Sequence, residues 1–437
     1  MNNYPETLKE ILLSLIREIS ESPELFVDNP GRDFTRKRKL PLEAVVRTVI
    51  SMGGNSIYKE LLESHGYDEN TASTSAFVQQ RDKILPCLFE FLLHEFNRAH
   101  SAPETYRGYN LLAVDGSSLH IPKNPDDAGT YCQTRPDRSG YNLMHLTALF
   151  DLRNKLYTDA YVQTFTGLNE NEAFMNMVKR SRIDGKTIVI ADRFYESYNN
   201  FANIEQKGWS FVIRCKDVLS STGILAGLTD LPKGGEFDVP IHRILTRKNT
   251  NEVKGNPDIY KRIGVKSPFD FFDSNPFYPI SFRVVRFILP DGSFQSVITN
   301  LPKDDFPPHE IKALYKMRWG IETSFRELKY AIGLSNFHAK KRERIVQEIF
   351  ARIIMYNFAE MITLNVVIAK ADTKHPYQVN FTVAIHVCRH FLRLAVNAPA
   401  HDVEALIRKN VLPVRPDRVG KRNIRTRAAV SFIYRVA

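Results

Sequence analysis

The spacing of apolar positions along the chain changes twice, from helical to strand-like near residue 105 and back to helical after Pro307-Pro308. In residues 1–104, Leu42, Val45, Val46, Val49 and Ile50 recur at helical spacing. Pro41 suits the first turn of that helix, where a missing N–H costs nothing. Gly53-Gly54 closes it, and Ser56 is placed to cap the next helix, around Lys59-Glu60-Leu61-Leu62. A third run, Ser75 to Phe96, carries Gln79, Gln80, Arg81 and Lys83, and Pro86 is expected to kink or split it.

From about residue 105 the elements shorten. Leu111-Leu112-Ala113-Val114 is an apolar run that stops at Asp115-Gly116, and Tyr141 to Phe150 and Leu156 to Phe165 are strand candidates. Asn171 to Arg182 reads as a helix. Thr187 to Ala191 is a buried strand ending at Asp192 and followed by a helix, and Trp209 to Cys215 is a further strand. Three strands, a helix, a strand, a helix and a strand is the element order of an RNase H-like core. Residues 217–300 interrupt it with Gly, Pro, Asn and β-formers, and Pro290-Asp291-Gly292 marks a hairpin between Phe282–Leu289 and Ser293–Asn300. Helices then run to about residue 409. The expected fold is therefore α/β: an RNase H-like catalytic core with a β-rich insertion, plus helical N-terminal DNA-binding and C-terminal helical segments. The expected divisions are 1–104, 105–216, 217–300 (the insertion), 301–345 and 346–437.

Composition narrows the partners. Sixty Lys and Arg against 49 Asp and Glu give a net charge of +11, which favours a polyanion such as nucleic acid. The N-terminal helical segment supplies the basic cluster Arg36, Lys37, Arg38 and Lys39 and the polar-basic helix with Arg81, a pattern that fits a small DNA-binding bundle. Residues 411–437 are also strongly basic. Four scattered cysteines and twelve histidines without paired spacing argue against a disulfide framework and a zinc site. The richest apolar stretch, Ile345 to Ala369, is broken by Gln347, Glu348, Arg352, Asn357, Glu360 and Asn365, which predicts a buried helix rather than a membrane span. With no leader pattern at the N-terminus, the expected location is the cytoplasm.

Candidate chemistry lies at two strand ends and on one helix. Asp115 and Asp192 each follow an apolar strand, where open α/β sheets build their sites. On a helix from about His309 to Ile332, with Tyr315 at zero, Arg318, Glu322 and Lys329 fall at about 300°, 340° and 320°. Leu314, Met317, Ile321, Phe325 and Leu328 fall between about 200° and 280°. The polar stripe thus borders the buried stripe, while Glu327, at about 120°, faces elsewhere.

Tyr315, Arg318, Glu322 and Lys329, spaced Y-x2-R-x3-E-x6-K, resemble the YREK signature of the IS-four group of bacterial insertion-sequence DDE transposases. The segments VDGSSL around Asp115, ADRFY around Asp192 and FTRKRKLPLE near the N-terminus are similar to those of the group, as is a β-rich insertion before the Glu. The resemblance implies that Asp115, Asp192 and Glu322 form a carboxylate triad holding two Mg²⁺ ions, with Mn²⁺ able to substitute. Tyr315, Arg318, Lys329 and Arg193 would grip phosphates of double-stranded DNA at the terminal inverted repeats. It further implies cut-and-paste transposition by a homodimer assembled on paired ends, in the bacterial cytoplasm and on the nucleoid when bound. One departure is that the insertion contains no Trp; Trp209 and Trp319 lie elsewhere. Two other readings of the residues remain open here: a host nuclease or resolvase on the same core, and a domesticated DNA-binding protein without catalysis.

Overall fold

The computed structural model describes residues 4–36, 38–99, 104–133, 135, 137, 139–273, 275–366, 376–395 and 402–414. The chain opens with α1 (Tyr4–Glu21), α2 (Leu42–Ser51), α3 (Ile57–Ser64), α4 (Thr74–Arg81) and α5 (Cys87–Arg98). Pro86 separates α4 from α5 as its fixed backbone requires. Next come β1 (Asn110–Ile121), β2 (Tyr131–Cys132), β3 (Tyr141–Asp151), β4 (Leu156–Thr164), α6 (Glu170–Arg180), β5 (Thr187–Ala191), α7 (Tyr198–Gln206) and β6 (Ser210–Cys215). β7 (Phe237–Thr246), α8 (Asn251–Gly255), β8 (Tyr260–Arg262), β9 (Phe277–Ile288) and β10 (Phe294–Thr299) follow. The chain then continues through α9 (Pro308–Met317), α10 (Trp319–Tyr330), α11 (Arg342–Leu364), β11 (Tyr377–Val379), α12 (Phe381–Arg393), α13 (Val403–Lys409) and β12 (Val411–Pro413).

Among the described residues, ten strands form one mixed sheet in the order β2-β3-β1-β5-β6-β10-β9-β7-β8, with β4 also on β3. β1, β5 and β6 run parallel, and β1, β3 and β4 are antiparallel neighbours. Residues 217–300 are β-rich, as the sequence predicts, yet they interrupt nothing in space. β10 pairs antiparallel with β6 from Ser296↔Cys215 to Thr299↔Val212, so β10, β9 and β7 continue the same sheet. The physical reason is the open edge of β6, whose unpaired backbone groups need a partner. Asp291 holds the β9–β10 turn by accepting from Ser293 N at 3.0 Å, and Gly292 supplies its positive φ of 81°.

Alternation along the strands sorts the side chains to two faces. Leu112, Val114, Val189, Ala191, Phe211 and Ile213 pack with Phe174 of α6 and Phe201 of α7. On the other face Leu111, Ile188, Ile190 and Val212 pack with Ile311 and Leu314 of α9. Ala113, Leu119, Leu146 and Ala148 share a core with Ile321 and Leu328 of α10 and with α11.

That last core also contains Leu12 and Ile16 of α1, Val45 and Val49 of α2, Leu88 and Leu92 of α5, and Ile385 and Leu392 of α12. The N-terminal helices therefore close no core of their own; they wrap α11 together with the C-terminal helices. Each has a single apolar face that must be covered, whereas α11 is buried on all sides. The apolar face of the C-terminal helices is consumed in this packing. The polar residues that interrupt α11 are its ties. Asn357 bonds Tyr157 N (3.0 Å) and O (2.9 Å), Arg352 Nη2 donates to Gly53 O (2.9 Å), and Gln347 Nε2 donates to Ile84 O (2.6 Å). No helix among the described residues is long and apolar enough to cross a membrane. The four cysteines are free thiols.

Arg81, expected on a DNA-contacting surface, is buried in this interface. Its guanidinium donates to Gln347 Oε1 and Glu348 Oε1, each at 2.8 Å, and to Arg344 O at 2.5 Å. The side chains of the Arg81–Glu348 pair are 4% and 2% exposed. The helical spacing of α4 gave no sign of this, because the partner lies some 260 residues away. Removing one member of a buried pair strands the other charge. We predict that Arg81→Ala lowers unfolding stability by about 3–5 kcal/mol. Denaturant unfolding will measure it. The slope of DNA affinity against salt should stay at the wild-type value; a slope reduced by one phosphate contact would return Arg81 to the DNA surface.

Candidate active site

Parallel pairing of β1 with β5 runs from Asn110↔Thr187 to Ala113↔Ile190. Continued by two residues, this register brings Asp115 level with Asp192. Both alternate onto the face where Ala113, Ile188 and Ile190 point, the face covered by α9 and α10. The expected strand end at Asp115 is corrected: β1 runs on to Ile121 because β3 keeps pairing with it, Asp115 opposite Ala148. What ends at this level is the neighbour, β5. Asp192 is the first residue past it, and its Oδ1 accepts from Phe194 N at 2.7 Å, capping a short turn over Arg193–Tyr195.

The helix expected over 309–332 is two helices, α9 and α10, that meet at Arg318. Arg318 keeps helical angles (φ −48°, ψ −34°), so the polar stripe survives the break. Gly320 lets α10 come close to the sheet, since a Cβ there would lie 2.8 Å from Leu152 Cδ2. Arg318 is 6% exposed and stands between two carboxylates. Nη2 donates to Glu322 Oε1 at 2.6 Å and Nη1 lies 3.5 Å from Asp115 Oδ2. Lys329 Nζ donates to Ser118 O on β1 at 3.2 Å, and burial lowers its pKa. Tyr315 is mainly a packing residue, buried with Leu111, Ile188 and Val212, and the Arg318 guanidinium lies 6.0 Å from its ring. Glu327 faces away, toward α11, and accepts from Tyr356 Oη at 3.1 Å.

Arg193 and Phe194 are exposed immediately after Asp192, and Trp319 is 59% exposed beside Arg318. The sequence reading missed Arg214. β5–β6 pairing places Ala191 opposite Ile213, which brings Arg214 level with Asp192, and its charge acts on Tyr315. The available signal was a lone exposed charge in an otherwise apolar strand, Ser210–Cys215. Arg36, Arg38 and Lys39 are exposed on the loop before α2, remote in sequence from these residues. Arg36 and Arg38 line a polar cavity of about 550 Å³ with Arg32 and Lys83. Lys37 lies outside the described residues, as does the basic segment 415–437.

The oxygens of Asp115, Asp192 and Glu322 do not all come within 4.8 Å of one another. Burial raises the Asp115 carboxyl to about 6, with Asp192 and Glu322 adding to the rise; the Gly116 N–H and Arg318 oppose it. Three carboxylates that share one face offer the oxygen donors that a hard divalent cation takes. A different group, Glu90, His94 and Asp159, does converge within 4.8 Å. It lies on the opposite face of the sheet, since Asp159 pairs with Leu149 and Asp115 with Ala148. Arg180 already neutralises it, bonding Asp159 at 2.8 and 2.6 Å and Glu90 at 2.6 Å.

The raised carboxyl makes a signed prediction. An acid whose folded pKa is raised costs nothing below its unfolded value of 3.8 and its full amount above about 6. For Asp115 that amount is about 3 kcal/mol. In chelator, Asp115→Asn should therefore raise unfolding stability at pH 7–8. The gain should shrink as the pH falls through 6 and vanish near 4. A gain that is absent at pH 8, or constant across the range, contradicts the shift.

The family model described as "Transposase DDE domain" matches residues 106–358, a span that contains Asp115, Asp192 and Glu322. Over 343 residues the chain is 23% identical to the transposase InsG for insertion sequence element IS4 of Escherichia coli (strain K12), covering 74% of this chain and 70% of that one. Among solved structures, the piggyBac transposase in a synaptic complex with hairpin DNA aligns with 96% of this chain and 88% of its own, at 10% identity and a TM-score of 0.46. The family match extends over more than half of the sequence and spans both aspartate segments together with the catalytic-helix candidate, and so the chain belongs to the family of the transposase DDE domain, enzymes that cleave DNA and transfer its strands.

Proposed function

We propose that Asp115, Asp192 and Glu322 are the metal-binding triad of a cut-and-paste transposase acting on the terminal inverted repeats of its own insertion sequence. One observation carries this reading. The β1–β5 register sets the two aspartates side by side, and α10 brings Glu322 to the same face through Arg318. In this reading β4-β3-β1-β5-β6 is an RNase H-like unit, supported by its strand order and directions. Two Mg²⁺ ions, replaceable by Mn²⁺, would activate a water or 3′-hydroxyl and stabilise the leaving oxygen of an in-line displacement at phosphorus.

The chain's own groups then have distinct tasks. Arg318 balances Asp115 and Glu322 before DNA arrives and offers a planar fork to a phosphate afterwards. Arg193, exposed beside Asp192, and Arg214, one strand away, contribute charge along the same edge. Lys329 fixes the far end of α10 to β1. Arg36, Arg38 and Lys39 hold DNA outside the site through backbone phosphates. The protein works in the bacterial cytoplasm on double-stranded DNA.

Asp115→Asn, Asp192→Asn and Glu322→Gln should each abolish cleavage of a terminal-repeat duplex in Mg²⁺ while DNA affinity stays within a few-fold of wild type. Glu327→Gln should cleave normally, since its carboxylate faces α11. Gel assays of cleavage and binding decide this, and wild-type cleavage by any of the first three removes that residue from the triad.

We further propose that the free protein is a monomer and dimerises when two ends are paired, each chain cutting the end held by the other. The packing of the C-terminal helices against α1, α2 and α5 leaves that apolar face unavailable for a DNA-free dimer. Sedimentation without DNA should give a single chain. A Glu322→Gln chain mixed with an active chain that cannot recognise ends should restore cutting. A stable DNA-free dimer overturns the first expectation, and no recovery overturns the second.

A further inference from the structure

Behind Asp115, on the face opposite α10, lies a polar cluster that the proposed cleavage chemistry does not use. Gly116 alternates to that face, and a Cβ built on it would collide with His145 Nε2 and Glu170 Oε2. His145 comes from β3, two residues from Thr147, the partner of Gly116. Its Nε2 lies 3.1 Å from Glu170 Oε1. Glu170 is the first residue of α6, behind the capping Asn169. Its second oxygen accepts from Tyr195 Oη at 3.1 Å. Tyr195 is 1% exposed and closes the turn that begins at Asp192. The start of α6 grips that turn a second time through Asn200, whose Nδ2 donates to Asn171 Oδ1 (2.6 Å) and to Tyr195 O (2.9 Å).

One carboxylate therefore touches both aspartate-bearing segments from behind. Through its contact with His145 and its packing against Gly116 it holds β1 next to Asp115. Through Tyr195 it holds the turn next to Asp192. We propose that Glu170 is a positioning residue that sets the spacing of Asp115 and Asp192, with His145 and Tyr195 as its two arms; this rests on reading the two aspartates as metal ligands. The chemistry of the side chain suits the task. One carboxylate oxygen accepts from Tyr195 Oη while the other faces His145 Nε2, whereas an amide has a single oxygen for the two. Residues that orient metal ligands from behind weaken metal binding by about 10–100-fold when lost. A displacement of about 1 Å at a reacting centre costs on the order of a hundredfold in rate.

The test uses the full chain and Mn²⁺ alone as the probe, with affinity measured by electron paramagnetic resonance titration without DNA. The variants are Glu170→Gln, Tyr195→Phe, the double variant, and Asp115→Asn as reference. Tyr195→Phe keeps the ring in its packing and removes only the hydroxyl, so it guards against a folding defect in Glu170→Gln. Each single variant should weaken Mn²⁺ binding about tenfold. The double variant should be no weaker than Glu170→Gln, because both act through one contact. DNA affinity should be unchanged, and cleavage lost at limiting metal should return at saturating metal. Wild-type Mn²⁺ affinity in both single variants, with Asp115→Asn defective, overturns the positioning role and leaves the triad standing. Losses that multiply in the double variant also overturn it. Wild-type affinity in Asp115→Asn overturns the ligand reading, and the positioning role falls with it.

Discussion

Burial of the Asp115 carboxyl beneath α10, on the face it shares with Asp192 and Glu322, is the constraint on which the rest of the structure turns. Three carboxylates share one side of the sheet, and one of them is mostly out of water. Burial raises the Asp115 carboxyl, and the charges of Asp192 and Glu322 push it in the same direction. Arg318 makes the arrangement tolerable by standing between Asp115 and Glu322. Its own burial is costly and is offset by the bond to Glu322. A lysine could not serve as well, since a point charge lacks the fork that reaches two carboxylates at once.

Such a site is kept by its surroundings rather than by its own contacts. α10 would drift from the sheet if only the Arg318 ion pairs held it. α11 prevents that. It packs against α10 through the core containing Ile321 and Leu328, and Tyr157 of β4 donates or accepts at Ser324 Oγ over 2.9 Å. α11 is anchored in turn by α1, α2, α5 and α12. Its buried Asn357, Gln347 and Arg352 each meet a backbone partner outside the helix, as buried polar groups need. The N-terminal helices, which carry the exposed basic loop, therefore share one packed body with the helix that bears Glu322. A shift of one is felt by the other, because close-packed cores deform little.

The sequence made legible whatever depends on local period and chemistry. β3, β4, β5, β6 and the β9–β10 hairpin stand within a few residues of the runs that predict them, and Arg318 lies against both Asp115 and Glu322 on the face to which Asp192 also alternates. What it hid depends on pairing between distant segments. Residues 217–300 read as an interruption because nothing local reports that β10 docks on β6. Arg81 read as surface because a polar helix face looks the same whether water or Glu348 covers it. Arg214 went unnoticed because its importance lies in strand register, and Asp115 was placed at a strand end because the continued pairing comes from β3 alone. The break at Arg318 left no periodic trace, since its backbone stays helical.

The mid-strand position of Asp115 has a physical consequence. A carboxylate on a terminal loop can swing by several ångströms at little cost. One on β1, bonded along β3 on one flank and parallel to β5 up to the preceding turn of the ladder, cannot move without breaking sheet hydrogen bonds. Asp192 lacks that support, because its strand has ended; its restraint comes from the capping bond to Phe194 N and from the buried ring of Tyr195. The two aspartates are thus held by different means, one by the ladder and one by a packed turn. Any element that couples ladder to turn decides their separation. Glu170 is placed between them because the parallel crossover from β4 to β5 must pass through α6, and the first turn of that helix arrives directly behind Gly116. Fold topology has thus put one carboxylate against both segments that carry the aspartates.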